Sequence, residues 1–117
     1  MRRICASAEL VSGGKGVRFS VRIDGREEPA FVIRHRDVVY GYLNRCAHVP
    51  TELDWTPGDF FESDGRYLIC ATHGALYFPE SGDCVAGRCN GKGLRSLHVV
   101  EVDGAVFLIE EWFLTKR

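Results

Sequence analysis

Methionine occurs once and proline four times in the 117 residues, and neither sign of charge prevails, the formal net charge being −1. That near-balance excludes a bulk electrostatic attraction to nucleic acid or to an anionic membrane surface. Long apolar runs are missing as well. The longest is Ala105-Val106-Phe107-Leu108-Ile109, far short of the ~20 residues that span a bilayer. After Met1-Arg2-Arg3 the chain turns mixed at once. With no apolar stretch of signal-peptide length, a cytoplasmic location is the expectation. No segment keeps a helical period beyond about two turns. Residues 51–55 allow one helical turn, and Trp112-Phe113-Leu114 is ambiguous. Gly13-Gly14-Lys15-Gly16 and Gly91-Lys92-Gly93 lack the spacing and context of a phosphate-binding loop.

What is present is the ordinary balance of a folded domain, 45% hydrophobic and 26% charged. The length suits one core, so a single domain over residues 1–117 is expected, with no internal repeat or linker. Glycine is plentiful at 13 and favours tight turns over long helices. Val17, Phe19, Val21 and Ile23 alternate with Arg18, Ser20 and Arg22, the period of a half-buried strand. Asp24-Gly25 then suits a tight hairpin turn, and Ala30-Phe31-Val32-Ile33 follows as an apolar run. Arg34-His35-Arg36-Asp37 marks another reversal before a strand over residues 38–43. Asp64-Gly65 precedes Tyr67-Leu68-Ile69, and Asp103-Gly104 joins residues 97–102 to 106–110 as the best hairpin signal. The chain reads as all-β, an antiparallel sandwich or barrel of hairpins.

Residues 45–93 interrupt this pattern. They hold four of the five cysteines, two of the four histidines and three of the four prolines. Cys46-Ala47-His48 follows a predicted strand, and 21 residues separate His48 from Cys70-Ala71-Thr72-His73-Gly74. Each loop thus offers one thiolate and one imidazole, ligands for zinc or for iron–sulfur clusters but not for calcium or magnesium. Cys46, His48, Cys70 and His73 would close a tetrahedral zinc site. Alternatively, two cysteines hold one iron of a 2Fe–2S cluster and two histidines the other. A Cys/His pair in each loop suits the binuclear centre, because each loop then reaches both metals.

These boxes resemble the Rieske iron–sulfur family. Leu53 stands where that family has a leucine packed against the cluster, and Ser81-Gly82 after the second box is similar to its Thr-Gly. The Gly87 and Leu94 region and the closing Asp-Gly hairpin extend the likeness over about residues 4–110. The resemblance implies a β-sandwich or barrel with a small cluster-binding subdomain, about residues 45–93, formed by two inserted loops. It implies a Rieske 2Fe–2S cluster, with Cys46 and Cys70 on the inner iron and His48 and His73 on the outer. There are departures: Ala47 and Ala71 replace the prolines frequent in the boxes, and Gly-Pro becomes Gly87-Arg88. Thr51 and Thr72 stand where respiratory-complex members carry a second pair of cysteines. The closer likeness is to soluble ferredoxins that feed ring-hydroxylating oxygenases. Such a protein is a one-electron carrier rather than an enzyme, with a flavin reductase and an oxygenase or other redox protein as partners. A small accessory subunit of the nitrite-reductase type and a structural zinc protein are the alternatives.

Around the boxes, further residues carry expectations. High-potential members of the family have a serine after His-Gly and a tyrosine two residues later; here these are Ala75 and Tyr77. One donor is missing, so a potential in the lower part of the Rieske range is expected. Cys84 and Cys89 flank Gly87 and are read as two reduced thiols in preference to a disulfide. Cys5 is read as a small buried hydrophobe, and His35 and His98 as non-ligands. Glu52, Asp54, Asp59, Glu62 and Asp64 face only Arg66 within their own segment. They would form either a solvated loop or an acidic rim that steers a basic partner.

Overall fold

The computed structural model describes residues 1–46, 51–72, 74–87 and 92–109. Among these residues ten strands run in order through β1 (Arg2–Ala6), β2 (Val17–Ile23), β3 (Arg26–His35), β4 (Val38–Leu43) and β5 (Leu68–Ile69). They continue with β6 (Leu76–Tyr77), β7 (Cys84–Ala86), β8 (Ser96–Leu97), β9 (Val99–Val102) and β10 (Ala105–Leu108). The helical element among the described residues is a single 3-10 turn, Ser7–Glu9, while residues 51–55 form bends instead of the allowed helical turn. Trp112-Phe113-Leu114 lies outside the described residues. No helix among the described residues is long and apolar enough to cross a membrane.

Three antiparallel sheets have the orders β1-β10-β9, β2-β3-β4-β8 and β5-β6-β7. The middle one is set by β3. Its run Ala30-Phe31-Val32-Ile33 is buried throughout, as a strand must be when both its faces are covered. Ala30 and Val32 enter the cores shared with β1 and β10, through Cys5, Val106 and Leu108. Phe31 and Ile33 face the other way, into a core with Cys46, Leu53, Phe60, Leu68, Cys70 and Tyr77. Phe31 stacks on Phe60 with ring centroids 3.9 Å apart. The alternation of β3 therefore builds a three-layered body and points one layer at both cysteines.

Turn chemistry places the strands. Asp24-Gly25 and Asp103-Gly104 both have positive φ at the two central positions (52° and 79°, 50° and 79°), the geometry that matches strand twist in two-residue hairpins. Between β3 and β4 the same reversal is made without glycine, by Arg36 and Asp37 at φ 49° and 69°. That turn is pinned from outside: the Asp37 amide donates to Ser12 Oγ (2.9 Å), and Arg34 Nη1 donates to the Asp37 carbonyl (3.2 Å). The expected strand over residues 97–102 is divided. Leu97 pairs with Gly41 in the middle sheet, whereas Val99 pairs with Leu108 in the outer one, so His98 is a corner where the chain changes sheets.

Candidate metal centre

Cys46 follows β4 and Cys70 follows β5, so each box begins where a strand ends. Backbone bonds close both loops. The Cys46 amide donates to the Thr51 carbonyl (2.7 Å), the Cys70 amide to the Ala75 carbonyl (2.9 Å), and the Gly74 amide back to the Cys70 carbonyl (2.8 Å). Gly74 has φ +74°, which suits the residue after the second box being glycine. Among the described residues a backbone bond joins the loops: the Ala71 amide donates to the Leu53 carbonyl at 2.9 Å. Leu53 is fully buried among Cys46, Phe60, Cys70 and Tyr77, so the leucine expected to pack at the cluster does pack against both thiol-bearing loops.

Cys46 is 3% and Cys70 0% exposed, and neither takes part in a disulfide. A metal held by such residues takes them as thiolates. Tyr77 is fully buried, and its hydroxyl lies 3.5 Å from Cys46 Sγ. The phenol of the second box is therefore aimed at a thiol of the first, and not at water. Ala75 is buried with no donor to offer. The third segment closes over the second box through Gly87, at φ +97°, where an added Cβ would come within 2.8 Å of Ala75 Cα. Soft sulfur donors, a hydroxyl aimed at one of them and a backbone cradle fit a 2Fe–2S cluster. His48 and His73 lie outside the described residues. Among the described residues no group of three or more His, Cys, Asp or Glu could hold a metal ion.

Two loops on a β frame thus bring one buried thiol each into a shared core. The Rieske [2Fe-2S] domain description matches residues 1–106, and the chain belongs to that family. A Rieske 2Fe–2S cluster is accordingly its cofactor. Comparison with curated proteins gives no significant match. Among solved structures it is similar to the ferredoxin of carbazole 1,9a-dioxygenase from Nocardioides aromaticivorans IC177. That likeness has a TM-score of 0.68 and 23% identity over 91% of this chain and 93% of that chain. It is also similar to the Sphingomonas yanoikuyae B1 ferredoxin (TM-score 0.69, 24% identity, 91% and 94% of the two chains). A third similar chain comes from a complex of reduced oxygenase and oxidized ferredoxin in carbazole 1,9a-dioxygenase (TM-score 0.69, 22% identity, 92% and 91%). The fold is thus the all-β Rieske one, as expected.

One expectation needs correction. Cys84 is disulfide-bonded, not reduced; Cys89 lies outside the described residues. The acidic residues between the boxes, which have Arg66 in their own segment, also meet cations from outside it. Arg18 meets Glu52 (2.6 Å) and Asp54 (3.5 Å), Lys15 meets Asp59 (2.9 Å), and Arg66 meets Asp64 (3.4 Å). Lys15 and Arg18, distant in sequence, halve the segment's charge of −4. Cys5 is buried, and burial raises its thiol pKa, as expected of a core residue. His35 is buried, stacks on Phe61 at 6.2 Å, and has Nε2 3.8 Å from Glu80.

Proposed function

We propose that the chain is a one-electron carrier of the Rieske-ferredoxin type, taking electrons from a flavin reductase in the cytoplasm and passing them to an oxygenase. In this reading Cys46 and Cys70 bind the inner iron and His48 and His73 the outer, and residues 45–93 act as the cluster-binding subdomain of a single domain. The observation that carries it is the pair of buried thiols, one from each loop, in one core with a tyrosine hydroxyl on Cys46. When bound, the cluster supplies a one-electron couple, made easier to reduce by two neutral imidazoles in place of thiolates. The chain's own part is to hold and tune. Leu53 and Phe60 keep water from the thiols, and the Tyr77 hydroxyl offers a hydrogen bond to Cys46 that favours the more negative, reduced state. Membership of the family and the ferredoxin-like fold support a carrier over an enzyme.

The test is anaerobic purification followed by stopped-flow mixing with an NADH-linked flavin reductase and a ring-hydroxylating oxygenase component. One electron per chain should be taken up and then delivered, with no substrate turned over by the chain alone. A colourless zinc protein, or a cluster that neither component reduces or oxidises, would overturn the proposal.

A further inference from the structure

Asp54 is a carboxylate whose side chain is fully buried, in the segment that runs from the first box. A buried carboxylate is costly unless its charge and lone pairs are met, and here each contact has a donor. Asp54 Oδ1 accepts from Asn44 Nδ2 at 3.0 Å, and Oδ2 accepts from the Gly58 amide at 2.9 Å. Arg18 Nε lies 3.5 Å from Oδ2, while Arg18 Nη2 donates to Glu52 Oε1 at 2.6 Å. Asn44 completes the chain of bonds, for its Oδ1 accepts from the Leu53 amide at 2.8 Å. Leu53 in turn accepts from Ala71, next to Cys70. The sequence of contacts therefore runs from Arg18 on β2, through Asp54, Asn44 and Leu53, to the residue beside the second thiol. Asn44 itself stands two residues before the first thiol.

We propose that Arg18, Asp54 and Asn44 form a positioning relay through which the β frame sets the geometry and the potential of the cluster site. The relay rests on the proposed reading that Cys46 and Cys70 are ligands. It is directional in its chemistry. Asn44 must present its amide nitrogen to Asp54 and its oxygen to Leu53, and Asp54 must accept on both oxygens. Asp54→Asn is almost isosteric, yet it turns one acceptor into a donor that meets either Asn44 Nδ2 or the Gly58 amide and Arg18. Exchanging the two residues, Asn44→Asp with Asp54→Asn, restores every donor–acceptor match while moving the negative charge to the residue two before Cys46. Arg18 supplies charge more than shape: losing it leaves Asp54 with its two hydrogen bonds but no cation.

The experiment measures cluster loss to a chelator, the EPR g-values of the reduced protein and its midpoint potential, with circular dichroism as the check on folding. Asp54→Asn should lose iron roughly tenfold faster, the scale of one mispaired buried group, with shifted g-values. The exchanged double variant should return iron retention to near wild type and have a lower potential than Asp54→Asn. Arg18→Ala should lower the potential in a folded protein, and Arg18→Lys should restore it, because a nearby cation favours the reduced state. The relay is overturned if the double variant retains iron no better than Asp54→Asn, or if Arg18→Ala has the wild-type potential and g-values. It is equally overturned if all variants lower thermal stability alone. A wild-type chain that binds no iron–sulfur cluster would instead defeat the ligand reading, and that result is visible before any variant is made.

Discussion

Strand β3 packs Ala30 and Val32 towards β1 and β10 and Phe31 and Ile33 towards the thiols, but the two sides are closed by different means. The outer sheet is joined by ladders of four residue pairs and by a charged clamp. Arg34 donates from Nη1 and Nη2 to both oxygens of Glu101 (3.1 and 2.6 Å), from Nε to the Leu10 carbonyl (2.7 Å) and from Nη2 to the Ser7 carbonyl (3.2 Å). The thiol side has two-residue strands and long irregular loops. There, closure depends on single backbone bonds, on Asn44 and Asp54, and on Leu53 at the junction. A frame built from repetitive ladders tolerates the loss of one contact. A site built from single contacts does not, and it gains from a bound metal the cross-linking that the strands do not supply.

The largest break in that comparison is Cys46→Ser or Cys70→Ser, which should abolish the cluster and destabilise the thiol side, measured by iron content and thermal unfolding. Full colour and iron in either variant would contradict the ligand assignment. Leu53→Ala comes next. It empties a fully buried site touching both loops, for which about 2–5 kcal/mol of unfolding free energy is expected by denaturant titration. Tyr77→Phe should keep the fold and lower the potential by about 20–60 mV, the value of one hydrogen bond for a one-electron couple. Ala75→Ser should raise it, and an unchanged potential in Tyr77→Phe, read by protein-film voltammetry, would leave that tyrosine structural only.

On the frame, the Arg34 hydrogen bonds hold the Glu101 carboxyl down to about 2 from the ordinary 4.5. A depressed carboxyl stabilises the fold fully above its unfolded value, and that contribution fades as pH falls from 4.5 towards about 2. Glu101→Gln should flatten this part of the stability–pH curve and leave the potential unmoved. The smallest effect concerns salt. Since Arg18, Lys15 and Arg66 already meet four of the carboxylates between the boxes, partner reduction should slow only weakly with ionic strength. A steep dependence would restore the acidic rim as a steering surface.

Legibility in the sequence divides along the same line. Period-two patterning placed β2, the polar reversal at residues 34–37 placed β4, and Asp-Gly pairs placed two hairpins, because local backbone preference and burial agree there. The paired Cys/His boxes narrowed the cofactor to zinc or a 2Fe–2S cluster, and their resemblance to the Rieske family made it legible, since ligand type and spacing are themselves sequence properties. β1, β6 and β7 were not legible, being short or paired with partners far away in the chain. The reversal at residues 34–37 was legible but its anchor on Ser12 was not, and the break at His98 follows from sheet packing. Arg18 looked like an outward charge and Asp54 like one acid among five, and nothing singled out Asn44. Their convergence depends on contacts 10 to 36 positions apart, which no local pattern records.

The most direct test of the account is nitrogen-resolved pulsed EPR on the reduced protein, together with iron and sulfide counts. The account predicts two irons and two sulfides per chain, with two histidine nitrogens coupled to the cluster and one coupling lost in His73→Cys. An iron–sulfur signal without nitrogen coupling, or one zinc and no signal, would contradict it.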